Sequence, residues 1–153
     1  MALNITLYSE YRSIYKDYMD QNYGHMIYKD PGIFTLPSWL YTYDLYKAKI
    51  KFKGIQKISM VFSEFEERIL IPPGKVLGAI LVYNCQFDFE KLKSISSLRD
   101  QQLFVLRGMY EAVLRISDIY NLEKDGLTQA FHQTHNRITN DEIPDDFWDI
   151  HIF

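Results

Sequence analysis

The sequence predicts a single α+β domain over residues 1–153, built as an antiparallel sheet of about five strands with one long helix and one or two shorter helices packed on it. Up to Phe89 apolar residues recur mainly at every second position, whereas from Ser97 onward they recur at helical spacing. Composition points the same way. With 47% apolar and 24% charged residues, a chain of 153 residues suits one well-filled core.

Leu3, Ile5 and Leu7 alternate with small or polar neighbours and predict a first strand. From Ser9 to Tyr28 the spacing of Tyr11, Ile14, Tyr15, Tyr18 and Met19 predicts a short helix. Asp30-Pro31-Gly32 and Pro37-Ser38 read as a connecting loop, because proline fixes φ and glycine accepts positive φ. Lys47, Lys49, Lys51 and Lys53 then alternate with Ala48, Ile50 and Phe52 as a strand with one lysine-coated face, ended by a turn or bulge at Gly54. Ile58, Met60 and Phe62 open a further strand, or two, reaching Arg68-Ile69-Leu70-Ile71 before Pro72-Pro73-Gly74. Val76 to Phe89 is apolar enough for the central strand of a meander.

Ser97, with Asp100 three residues on, marks a helix start of the capping-box kind. Val105, Met109, Ala112 and Ile116 form one apolar stripe, and Leu106, Tyr110 and Val113 an adjoining one, so a helix over 97–120 lies across the sheet. Asp125-Gly126 begins a second helix running to about Arg137, and Trp148, Ile150 and Ile152 alternate as a terminal edge strand.

Several chemistries find no support in the residues. Neither GxGxxG nor GxxxxGK[ST] occurs, and one cysteine excludes intramolecular disulfides and CxxC zinc or redox sites. Cys85 sits in an apolar run as a small buried hydrophobe. His132 and His135 share a helix face at metal-binding spacing, but no nearby carboxylate completes a ligand set, so neither a metal nor a cofactor is expected. Glu64, Glu66 and Glu67 read as a solvated strand end, and no catalytic residue is assigned. A net charge of −3 argues against nucleic acid as partner, leaving the lysine ladder as protection of an exposed strand. The opening residues lack a secretory pattern and no run reaches membrane-spanning length, which predicts a cytoplasmic protein without membrane attachment.

Charge is uneven along the chain. Residues 141–153 contain five carboxylates and no lysine or arginine. Asp141, Glu142, Asp145, Asp146 and Asp149, interleaved with Phe147 and Trp148, are therefore the candidate partner-binding residues, with the aromatics as anchors and the acids as electrostatic guides. In size, acidity, aromatic content and lack of catalytic motifs the chain resembles bacterial immunity proteins of polymorphic or contact-dependent toxin systems. That resemblance implies a non-enzymatic protein that docks on a basic toxin domain and occludes its active site. Two alternatives are a small enzyme or ligand-binding domain with a pocket between helix layer and sheet, and a structural subunit of a bacterial or phage assembly.

Overall fold

A computed structural model describes residues 3–9, 32–75 and 78–147. Within them the chain forms strands β1 (Asn4–Ser9), β2 (Lys57–Ser63), β3 (Arg68–Ile71) and β4 (Ile80–Gln86). The helices are α1 (Thr35–Lys47), α2 (Phe89–Ser94), α3 (Leu98–Ile119) and α4 (Leu127–Thr139). The α+β class holds, but the sheet is not a five-stranded antiparallel meander. It is a four-stranded mixed sheet in the order β1-β2-β4-β3. The β1–β2 and β2–β4 pairs are parallel, and only β3 runs antiparallel, against β4.

Two physical reasons account for the difference. Parallel neighbours need a long crossover, and α1 supplies the returning element between β1 and β2. The more apolar β4 takes an interior place between β2 and β3, whereas β3, with Arg68 and Leu70 exposed, tolerates the edge. In register, Ile5, Ile58 and Leu81 lie side by side, as do Leu7, Met60 and Tyr83, then Phe62 and Cys85. This face joins the helices in one core. The opposite face is partly open, with Tyr8 exposed and Ser59 and Val82 half-buried.

The segment containing Pro37-Ser38 is helix, not loop. Pro37 stands in the first turn of α1, where a missing N–H costs nothing, and Ser38 Oγ donates to the Thr35 carbonyl at 2.9 Å. The lysine-rich strand is corrected too, because Lys47 closes α1 and Lys49 turns the chain at φ 58°. Its N–H donates to the Tyr46 carbonyl and that of Ile50 to the Leu45 carbonyl, both at 3.0 Å. These two bonds make a Schellman closure, which satisfies carbonyls that a helix end otherwise leaves bare. Asn121 and Asp141, both at φ 54°, close α3 and α4 in the same way. Beyond Lys49 only an isolated bridge between Phe52 and Ile55 remains of the expected strand. The helix expected between Ser9 and Tyr28 falls, from residue 10 on, outside the described residues, as does the terminal strand over 148–153.

The long helix matches its reading. Ser97 Oγ accepts the Asp100 N–H at 3.0 Å, and Val105, Met109, Ala112 and Ile116 are fully buried. Helix α3 crosses the sheet over Phe62 and Phe87, whose rings stack at 4.4 Å, and Gly108 makes the approach possible. A methyl group there would sit 3.2 Å from Phe62 Cζ. Helix α4 packs on α3 through the stacked rings of Tyr110 and Phe131, 4.2 Å apart. Its start needs a glycine, since Gly126 has φ 89° and any side chain would strike Ile50.

The closure of α1 generates a test. Lys49 is exposed and holds a conformation that costs a non-glycine residue about 1 kcal/mol. Lys49→Gly is expected to raise unfolding free energy by up to about that amount in urea titrations. An unchanged or lowered midpoint would show that the Lys49 side chain contributes something offsetting the strain.

Candidate functional site

The acidic segment begins where α4 ends. Asp141 takes the left-handed conformation, Glu142 donates its N–H to the Arg137 carbonyl at 2.8 Å, and the chain turns back over α1. Four contacts then fix the turn. Arg99 Nη2 donates to Asp141 Oδ2 at 2.6 Å, tying it to the start of α3. Asp146 accepts the Tyr43 hydroxyl at 2.5 Å and pairs with Lys47 Nζ at 2.7 Å, both on α1. Phe147 is 0% exposed, with its ring 5.8 Å from that of Tyr43.

This placement redistributes the residues singled out in the sequence. Phe147, expected as a surface anchor, belongs to the core and is corrected to a structural role, because its ring fills the gap beside α1. Asp141 and Asp146 hold internal partners. Glu142 and Asp145 project from the fixed turn as exposed carboxylates with no ion pair among the described residues. Trp148 and Asp149 lie outside the described residues.

Beneath the turn is a polar node that sequence reasoning missed. Asp44 is buried, accepts Thr134 Oγ1 at 2.6 Å, and lies 3.2 Å from Arg137 Nε. Burial raises its carboxyl pKa, while Thr134 and Arg137 oppose that rise. The Arg137 guanidinium covers the Tyr43 ring at 5.5 Å, and Lys47 approaches the same ring at 5.7 Å. Burial, followed by the hydrogen bond to Asp146, pushes the Tyr43 phenol up to about 12. For Asp146 the Lys47 contact and then the Tyr43 contact hold the carboxyl below its ordinary value. A cleft of about 500 Å³ opens beside this node, between the end of α1 and the start of α4.

A second constellation lies at the β3 side of the sheet. Arg115 grips Glu67 through both Nε and Nη2, and Tyr83 donates its hydroxyl to Glu67 Oε2 at 2.8 Å. Glu67 is thus half-buried and braced, unlike Glu64 and Glu66, which are exposed. Cys85 lies behind it, where burial pushes the thiol up to about 12, far from a reactive thiolate. A cleft of about 410 Å³, lined by Glu67, Ile69, Tyr83, Arg115 and Ile119, opens between α3 and the sheet edge. The connecting turn is clamped: Asn84 Nδ2 donates to the carbonyls of Phe65 and Glu66 at 3.2 and 3.0 Å, and Ser63 Oγ accepts the Phe65 N–H at 3.1 Å.

His132 is exposed and His135 half-exposed, both beside the Phe131 ring, and no group of three metal-ligating side chains occurs among the described residues. Nor is any described helix long and apolar enough to cross a membrane. The chain matches no family model, no curated protein and no solved structure.

The anchoring of the turn can be measured in two ways. Phe147→Ala removes a fully buried ring and is expected to cost about 3–5 kcal/mol in chemical unfolding. A loss under about 1 kcal/mol would place the ring outside the core. Asp146 has a depressed folded pKa, so its contribution to stability is present above its ordinary value of 3.8 and is lost as pH falls through the folded value. Melting temperatures of wild type and Asp146→Asn should therefore differ at neutral pH and converge in acid below that range. A gap that persists unchanged into acid would show that the Asp146 charge is not what holds the turn.

Proposed function

We propose that the protein is a non-catalytic binding protein of the immunity type, which neutralises a basic toxin domain by docking on it and covering its active site. The observation that carries this reading is the fixed acidic turn, with Glu142 and Asp145 exposed on a backbone held by Arg99, Lys47, Tyr43 and the core. A rigid charged loop loses little freedom on binding, and its charges speed encounter with a surface shaped for phosphate. Trp148 and Asp149 continue the same segment, and Trp148 is the residue of the right kind to serve as its anchor. In the β3-side cleft Glu67, Tyr83 and Arg115 hold one another, which favours binding over chemistry there.

The test is protection. Co-expressed with the basic C-terminal domain of a large secreted protein encoded directly upstream of its gene, the protein is expected to restore growth and to form a stoichiometric complex with that domain. Glu142→Gln combined with Asp145→Asn should leave the melting temperature near wild type, since neither side chain has an internal ion pair among the described residues. The same variant should associate more slowly at low salt, with the difference shrinking as salt rises. Unabated toxicity, or a neighbouring gene of another kind, would overturn the immunity reading. Wild-type association at every ionic strength would move the interface away from the turn.

A further inference from the structure

Phe65 is 65% exposed, more than any other large hydrophobic residue described. Its exposure is enforced. Ser63 and Asn84, both buried, hold the backbone on either side of the ring, and Arg115 with Tyr83 holds Glu67 two residues on. The ring therefore stands out from a turn that cannot fold it inward. Two residues further along the chain begins the lining of the cleft of about 410 Å³, in which Ile69 and Ile119, the latter 53% exposed, stand among the charged Glu67, Arg68, Arg115 and Asp118. An exposed ring on a clamped turn and a cleft with two isoleucines in its wall thus belong to the same β3 side of the sheet.

We propose that this edge is a self-association surface on which a second copy of the chain docks about a two-fold axis, each copy setting Phe65 into the other's cleft. Its charges favour a second copy over a basic partner. Glu67 is neutralised by Arg115 and Asp118 by Lys124, while Glu66 and Arg68 project with opposite signs from neighbouring positions. A two-fold contact places Glu66 of one copy against Arg68 of the other, twice over. Strand-to-strand extension of the sheet is not the mode of contact. Leu70 is an extra, bulged residue between the Ile69–Tyr83 and Ile71–Val82 pairs, and Pro72-Pro73 ends the strand without donors. The contact is made by side chains. It is independent of the acidic turn: Arg99, which holds that turn, and Arg115 lie about 24 Å apart along α3.

Sedimentation equilibrium of the full chain across a wide concentration range tests the proposal. The wild type is expected to approach twice the 18.2 kDa chain mass at high concentration. Phe65→Ala should raise the dimer dissociation constant by on the order of tenfold or more without lowering the melting temperature of the dissociated chain. Glu66→Arg should weaken the dimer, and adding Arg68→Glu should restore it, because the pair is then exchanged across the axis. A chain that stays at 18.2 kDa throughout, a dimer indifferent to Phe65→Ala, or a double variant no better than Glu66→Arg alone would each overturn it. Glu142→Gln with Asp145→Asn should leave the mass unchanged, which separates this surface from the acidic turn.

Discussion

Helix α3 rests on the sheet at the depth that the missing side chain of Gly108 allows. A methyl group there would press on the stacked rings of Phe62 and Phe87, at 3.2 and 3.5 Å, and Phe34, Phe89 and Phe104 close around Phe87. This contact lies near the middle of a 22-residue helix that carries an ion pair toward each end. Toward the C-terminus it brings Arg115 to Glu67 and Cys85; at the N-terminus it leaves Arg99 within reach of Asp141.

The acidic turn is placed by a chain of contacts that starts inside the protein. Asp44 is buried beside Thr134 and pairs with the half-buried Arg137, and removing Arg137 is costly because it leaves the Asp44 charge in the interior. Arg137 covers Tyr43, Tyr43 donates to Asp146, and Phe147 follows into the core. A surface that looks in composition like loose acidic decoration is thereby registered on α1 and α4. Internal charge satisfaction and external charge display are two halves of one arrangement.

How much of this was legible depends on the range of the interaction. Helix α3 could be read almost to the residue, since the Ser97 cap and the stripe from Val105 to Ile116 are local signals. The alternation of Ile58, Met60 and Phe62 identified β2, but a period of two is the same in parallel and antiparallel neighbours, so strand direction stayed hidden. Helix α1 escaped because Pro37 suggests a loop and because nearly every side from Pro37 to Leu45 is buried, which erases amphipathic spacing. Its end escaped because a helix closure is looked for at glycine, and Lys49 stands there. The charge of residues 141–149 was plain. That Asp146 answers to Tyr43, 103 positions earlier, and Glu67 to Arg115, 48 positions later, is information no local pattern contains.

The lone cysteine gives the fold a consequence of its own. Cys85 is the only thiol in the chain, it is buried under α3, and it stays protonated at neutral pH. An alkylating reagent can reach it only when α3 lifts from β4 or the whole domain unfolds. The protein thus carries an internal clock for its own breathing: the rate at which that sulfur becomes accessible reports how often the helix layer and the sheet part company.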